Sequence, residues 1–255
     1  MARWLGGAKK VVALLAATLA AVATLGLVAA AASAATFSNN DGITINTASG
    51  ALCTQGQPSE QPTMATPYPS GIEVSGLSGS VTDVNVTISG LTHSWPDDIG
   101  LLLVSPAGQS AILMTDSGGS NDTPVSNINL TFDDAATTAP PNNGPLTSAT
   151  YRPNQGTIDD RGGCLAPVSF PEPAPASPYG TTLSVFNDSN PNGTWKLYVI
   201  DDTGVDAGSI TGWSLDISTT SEVPATKELC KKGGWKALGW PDQGTCISAV
   251  NQNSP

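Results

Sequence analysis

Apolar and polar residues alternate one by one in four separate segments, and this pattern limits the possible folds more than any other feature of the chain. The segments centre on Val86, Leu130, Leu197 and Leu215. A period of two is typical of a β-strand with one face buried and the other in solvent. Gly, Asn, Ser and Thr are abundant between the segments, as expected for turns. The sequence therefore predicts an all-β protein.

A continuous apolar run at residues 99–104 predicts a strand buried on both faces. It ends at the turn sequence Ser-Pro-Ala-Gly, and residues 111–114 return as its hairpin partner. Two antiparallel sheets packed face to face, in a jelly-roll-like β-sandwich, fit this spacing of strands. Trp195 and Trp213 each stand near the start of a strand, so we expect both indole rings in the structural core between the sheets.

The N-terminus has the composition of a signal peptide. Arg3, Lys9 and Lys10 precede an apolar run that closes on small residues. The favoured cleavage site follows Ala34, and the next candidate follows Ala35. An uncleaved membrane anchor is the alternative, because the run approaches the roughly 20 residues of a spanning helix. Cleavage would give a secreted, extracellular protein with no membrane attachment.

The charge of the secreted chain excludes some partners. Ten Lys and Arg residues, less the three in the signal peptide, leave 7 against 21 Asp and Glu, so the net charge is 7 − 21 = −14. Such a surface repels nucleic acid and anionic lipid. The same acidic surface favours the binding of divalent cations.

The cysteine count indicates disulfide bonds. The chain has four cysteines, Cys53, Cys164, Cys230 and Cys246, and an even number in an oxidising compartment fits two bridges. Three pairings are possible. Cys53 with Cys164 and Cys230 with Cys246 is the favoured one, because the second pair brackets a short tail that lacks a core of its own.

Composition divides the chain into four parts. They are a signal peptide (1–34), a β-sandwich (35–218), a linker (219–228) and a disulfide-closed Gly/Trp tail (229–255). Residues 135–179 are rich in proline and turn residues and predict a long loop. A loop of this length in a compact domain needs a tether, which a Cys53–Cys164 bridge would supply. We expect a monomer.

Three segments resemble the P domain, or Homo B domain, of subtilisin-like proprotein convertases. Residues 93–108 contain a His, an acidic turn, an apolar strand and a Ser-Pro-x-Gly turn. Residues 192–215 contain Gly-Thr-Trp, a strand, an Asp-bearing loop and a second Trp, which is the most specific match. Residues 132–136 with 151–153 match more weakly. The resemblance spans roughly residues 72–218.

The resemblance implies a secreted, stand-alone P-domain protein. Because P domains pack against and support a catalytic domain, it implies binding or stabilisation of a partner, either a secreted subtilisin-like serine protease or another extracellular protein. We expect no enzyme activity, since His93 is the only histidine and no Gly-x-Ser-x-Gly elbow is present. The enzymatic alternative is the family-level assignment to serine-type endopeptidase activity and proteolysis.

Carbohydrate or cell-wall binding is a second alternative. A β-sandwich that exposes Trp95, Trp235 or Trp240 could stack these rings on sugars. The tail itself resembles a short Cys-Lys-x-Gly-Gly-Trp element that ends various bacterial secreted proteins and implies no defined activity. Lys231, Lys232 and Lys236 of the tail, with Lys227 of the linker, contrast with the acidic sandwich.

Acidic residues at strand ends predict calcium as a cofactor. The predicted metal ligands are Asp97, Asp98, Asp201, Asp202 and Asp206, which flank two strands of the P-domain-like motifs. Calcium takes six to eight oxygen ligands, and loops at one end of a sandwich can bring carboxylates together. Asp133 and Asp134 follow a third strand. The alternative is that these side chains cap turns by accepting backbone N–H bonds.

Overall fold

The structure is a computed structural model that describes residues 28–29, 33–45, 62–119, 123–156, 169–202, 206–220, 222–224 and 226–252. The strands in these ranges are β1 Val28–Ala29, β2 Ser33–Asn39, β3 Ile43–Ile45, β4 Thr63–Met64, β5 Ser70–Val74, β6 Ser80–His93, β7 Ile99–Val104, β8 Ser110–Thr115, β9 Val125–Phe132, β10 Ala149–Tyr151, β11 Asn154–Gln155, β12 Gly193–Asp201, β13 Gly208–Ile210, β14 Gly212–Thr220 and β15 Glu222–Val223. The helices are α1 Gly234–Ala237 and α2 Gln243–Gln252, with 3-10 helices at Pro96–Asp98, Leu183–Phe186 and Lys227–Cys230.

Eight of these strands form a jelly roll, as the sequence predicts. One sheet has the order β2-β14-β6-β9, and the sheet facing it has the order β5-β12-β7-β8. All neighbours in these two sets are antiparallel. We call the first set the front sheet and the second the back sheet. The hairpin predicted from residues 99–104 and 111–114 is β7 with β8, at the edge of the back sheet.

The sheets are mixed rather than purely antiparallel, which corrects the sequence expectation. β10 runs parallel to β9, with Tyr151 opposite Phe132, and β11 runs parallel to β8, with Asn154 opposite Met114. Both added strands belong to the stretch expected to be loop. After β9, the chain therefore adds one short strand to the outer edge of each sheet. Each added strand runs parallel to the strand that it joins.

The two tryptophans lie between the sheets. Trp195 is 0% exposed, its Nε1 donates to the carbonyl of Pro191 at 2.8 Å, and its ring meets Phe186 edge-on. Trp213 is 1% exposed, and its Nε1 donates to Oγ of Ser70 at 2.9 Å. Because Trp213 belongs to the front sheet and Ser70 to the back sheet, this bond connects the two layers.

A third layer covers the outer face of the back sheet. Residues 169–179 pack on Tyr198 and Ile200, so the second half of β12 is buried on both faces. Three tyrosine hydroxyls donate to alternate proline carbonyls of this segment, in the pairs Tyr68 to Pro171, Tyr198 to Pro173 and Tyr179 to Pro175, at 2.9–3.0 Å. Part of the predicted loop is therefore a packed element. We call residues 169–179 the proline layer.

The C-terminal tail is a separate small unit held by a disulfide. Cys230 and Cys246 are bonded, and they form a core with Trp240 and Val250. The tail contacts the sandwich where Gly79 N–H donates to the carbonyl of Gly239 at 2.6 Å. Gly239 has a φ of +72°, and a Cβ there would lie 2.8 Å from the backbone of Gly79, so glycine is required at this contact.

Several sequence expectations concern residues outside the described ranges or at their boundaries. Cys53, Cys164 and most of the predicted signal peptide lie outside the described residues. β2 begins at Ser33, before the favoured cleavage site, and β15 lies within the predicted linker. Among the described residues, no helix has the length and hydropathy required to cross a membrane.

Candidate functional site at the acidic end of the sandwich

Strand pairing brings four of the predicted metal ligands to one end of the back sheet. β12 ends where β7 begins, with Asp201 opposite Ile99. The 3-10 helix that carries Asp97 and Asp98 immediately precedes β7, and Asp202 N–H donates to the carbonyl of Asp98 at 2.9 Å. The antiparallel register, and not the distance along the chain, thus places these carboxylates together.

The fifth predicted ligand reaches the same end through a different element. Asp206 Oδ1 accepts the hydroxyl hydrogen of Ser94 at 2.6 Å, and β13, which follows Asp206, pairs with β6 at His93. We call Asp97, Asp98, Asp201, Asp202 and Asp206 the aspartate cluster.

Asp133 and Asp134 lie elsewhere and cap turns. Asp134 accepts the backbone N–H groups of Leu183 and Ser184, each at 2.8 Å, at the start of a 3-10 helix. Asp133 accepts the N–H of Ala135 at 2.7 Å. Turn capping therefore accounts for the hydrogen bonds of both side chains, as the alternative to a metal site expects.

A buried histidine–aspartate pair forms the floor of the aspartate cluster. His93 Nε2 lies 3.2 Å from Asp201 Oδ2, and both side chains are 0% exposed. The other ring nitrogen, Nδ1, lies 2.8 Å from the carbonyl oxygen and 3.1 Å from the backbone nitrogen of Trp95. Both imidazole nitrogens are therefore engaged inside the protein, and the ring fixes the turn between β6 and β7.

This geometry separates His93 from any external substrate. A general base must reach the proton that it removes, and the whole residue is 1% exposed. The adjacent hydroxyl, that of Ser94, is exposed but donates to Asp206 rather than to the imidazole. The pair therefore acts as a structural brace between β6 and β12.

The folded protein disfavours the ionised form of Asp98. The residue is 9% exposed, and its carboxylate has no hydrogen-bond donor among the described residues. Burial, followed by repulsion from Asp202, Asp201, Asp206 and Asp97, raises the pKa of Asp98 to about 9. A buried carboxyl group without donors, facing four like charges, is suited to hold either a proton or a cation.

The aspartate cluster is not a preformed metal site in this conformation. Within the described ranges, no group of three or more Asp, Glu, His or Cys side chains has the geometry to hold one metal ion. Residues 203–205, which join Asp202 to Asp206, lie outside those ranges. A cation would therefore have to draw the carboxylates closer than they lie here.

The tryptophans that could bind sugars are placed differently from the sequence expectation. Trp240 is 8% exposed and belongs to the small core of the tail, so its ring offers no stacking surface. Trp235 is half-buried, with Lys236 Nζ 5.2 Å from the ring centroid. Trp95 is half-buried beside the aspartate cluster.

Sequence reasoning missed a groove at the outer edge of the back sheet. Arg152 was noted only as part of a weak motif match, yet it lines a cavity next to β11. An isolated arginine in a strongly acidic chain was the available signal. The tyrosine contacts of the proline layer were also missed, although the even spacing of Pro171, Pro173 and Pro175 hints at a regular extended segment.

Comparison with known proteins gives limited information. No protein-family model matches the chain, and no curated protein matches it. Among solved structures, a serine protease of Aeromonas sobria matches with a TM-score of 0.31 and 15% identity over 73% of this chain and 27% of that chain. The complex of Aeromonas sobria serine protease with the chaperone ORF2 matches with a TM-score of 0.30 and 15% identity, with the same coverage. Similarity at this level identifies neither a function nor a partner.

Proposed function

We propose that the protein is a secreted, non-catalytic P-domain-like β-sandwich that binds and stabilises another extracellular protein, with a subtilisin-like serine protease as the first partner to test. The buried His93 is the observation that carries the non-catalytic part, because the only histidine of the chain is 1% exposed and bonded through both ring nitrogens. The jelly roll and the P-domain-like motifs support the binding part. The disulfide of the tail is compatible with an oxidising, extracellular location.

A covalent probe tests the absence of catalysis. We expect that the purified secreted form, residues 35–255, is not labelled by a fluorophosphonate, which reacts with activated serine hydroxyls. Mass spectrometry of the intact protein measures the label, and a subtilisin-like protease serves as the positive control. Stoichiometric labelling of any serine would overturn the proposal, and so would hydrolysis of a peptide library by the same sample.

Binding is tested with the protein in the medium of the cells that secrete it. We expect the immobilised protein to retain a specific extracellular protease, and the retained protease to lose activity more slowly at elevated temperature when the protein is added back. The half-life with and without the protein is the measurement. Recovery of no partner by the folded protein, as judged by circular dichroism, would contradict the binding function.

We further propose that the aspartate cluster binds calcium. The burial of the Asp98 carboxylate, to which no described group donates a hydrogen bond, supports this proposal, since a buried carboxylate beside four others is suited to a hard cation. Five carboxylates from three segments would supply ligands, and the cation would neutralise their repulsion. Calcium would also connect the β6–β7 turn to the loop after β12.

Calcium at millimolar concentration is expected to raise the melting temperature by about 5 °C over the value in chelator, because it binds the folded state preferentially. The Asp98→Asn variant, which loses one ligand charge, should show less than half of this shift. The Asp41→Asn variant removes an exposed carboxylate outside the cluster and should retain all of it. Equal melting temperatures of the unaltered protein in calcium and in chelator would refute the site. Scanning calorimetry gives the values.

A further inference from the structure

Two segments of chain share the outer edge of β8 and leave a groove between them. Gly180 bridges to Ala111, where Ile112 N–H donates to its carbonyl at 2.9 Å, and β11 pairs further along the same edge at Met114. The chain diverges from β8 after Gly180, just where the residues before β11 approach it. A cavity of about 440 Å³ lies there, lined by Arg152, Pro153, Asn154, Gln155, Gly156, Thr181 and Thr182.

The groove has one positive charge, and its other lining residues are uncharged. Arg152 is exposed, and in the described parts of the chain its guanidinium forms neither an ion pair nor a hydrogen bond. Arg152 and Lys196 are the only cationic side chains that the structure describes in the sandwich. An arginine that stays unpaired in a body so rich in carboxylates is available to a carboxylate from outside, which it can hold through two parallel N–H donors.

The other feature of the groove is an open strand edge. Among the described strands, β11 pairs with β8 alone, and Asn154 and Gln155 of this strand line the cavity, so in the described part of the chain its second edge has no strand partner. An extended peptide can add to such an edge through main-chain hydrogen bonds. Thr181 and Thr182 also line the cavity. The volume is in the range of sites that hold a few residues of a ligand.

We propose that this groove binds an extended acidic peptide segment of the partner protein, with an Asp or Glu carboxylate of that segment on Arg152. The inference rests on the proposed binding function and adds the chemistry of the contact. A uronic acid would also offer a carboxylate and hydroxyl groups. The peptide is favoured because its backbone N–H and C=O groups repeat at the spacing of the β11 edge, whereas the hydroxyl groups of a sugar do not.

A nuclear magnetic resonance titration of the intact secreted protein tests the groove without knowledge of the partner. The probe is the peptide acetyl-Ala-Ala-Asp-Ala-Ala-amide, and its analogue with Asn in place of Asp is the matched control. We expect saturable shifts of the backbone amides of Asn154, Gln155, Thr181 and Thr182, with the Asn analogue binding about tenfold more weakly because a charge-assisted bond is lost. A galacturonate dimer, titrated separately, represents the sugar.

Variants localise the effect to the guanidinium. Arg152→Gln should weaken binding of the Asp peptide about tenfold, Arg152→Lys should weaken it less, and Lys196→Gln, the other cation-to-neutral change, should leave it unchanged. All three variants change an exposed residue, Arg152 or Lys196, so a native spectrum is expected in each case. Equal binding of the Asp and Asn peptides, undiminished binding by Arg152→Gln, or shifts confined to other residues would each overturn the proposal. Tighter binding of the galacturonate dimer than of the peptide would overturn the choice of a peptide.

Failure of this inference can be told apart from failure of the proposed function. If Arg152→Gln recovers the same partner from culture medium as the unaltered protein does, the groove is not the docking site but the binding function remains. If the unaltered protein recovers no partner, the binding function fails, whereas the titration still reports whether the groove accepts an acidic peptide.

Discussion

Replacement of Trp213 by alanine is expected to lower the free energy of unfolding by about 4 kcal/mol, the range for removal of a large aromatic ring from a core. The ring is 1% exposed, and its Nε1–H donates to Ser70 in the opposite sheet. The variant would therefore leave a cavity between the sheets and also leave the Ser70 hydroxyl without this donor. Urea unfolding followed by circular dichroism measures the change.

Two controls separate the core effect from the loss of the hydrogen bond. Ser70→Ala keeps the Trp213 ring but removes the hydroxyl that accepts from Trp213 Nε1 and from Asn39 Nδ2, and it should cost about 1–2 kcal/mol. Lys196→Ala changes an exposed residue of β12 and should stay within about 0.5 kcal/mol. A cost below about 1 kcal/mol for Trp213→Ala would mean that the ring does not lie between the two sheets, and the arrangement of the sandwich described above would be wrong.

The largest pH effect is expected from Asp98. Its pKa of about 9 in the folded protein exceeds the roughly 3.9 of an unfolded aspartate. Below pH 3.9 the group is protonated in both states. As the pH rises from 3.9 to 9, the unfolded state loses the proton while the folded state keeps it, so stability falls by up to about 1.4 kcal/mol per pH unit. Above pH 9 both states are ionised and the loss levels off.

Asp98→Asn should therefore be more stable than the unaltered protein at pH 8 in chelator, by roughly 2 kcal/mol or more, and the difference should shrink towards pH 5. An amide replaces the carboxyl group at almost the same volume and does not titrate. Asp41→Asn makes the same change of net charge at an exposed site and should not show this trend. Two results would show that ionised Asp98 does not destabilise the fold. One is a stability difference between the two proteins that does not change with pH, and the other is an Asp98→Asn variant that is less stable than the unaltered protein at pH 8.

The sequence predicted most of the jelly roll because its central strands are long and alternate clearly. β6, β9, β12 and β14 have eight or more residues each, and their inward side chains are nearly all large and apolar. The parallel edges could not be predicted in the same way. β10 and β11 have three and two residues, too few to show a period, and their direction depends on contacts distant in sequence.

The composition of the aspartate cluster was predicted from the sequence, and its geometry was not. The turn before β7 and the loop after β12 stand about a hundred residues apart, and the family-like motifs alone suggested that they meet. The His93–Asp201 pair depends on the register of β6 with β13 and of β12 with β7, which no local pattern encodes. Likewise, the absence of a partner for Arg152 among the described residues depends on where the fold places their carboxylates.

The proline layer covers apolar side chains on the outer face of the back sheet, which bears on the solubility of the protein. β7 is an uninterrupted apolar strand, and segments of this kind stack on one another when they are exposed. Residues 169–179 cover part of this sheet with a chain in which Pro171, Pro173 and Pro175 lack amide hydrogens, so the covering segment has fewer donors with which to pair with a further strand. An apolar face of the back sheet is thus covered by a segment whose prolines disfavour further strand pairing.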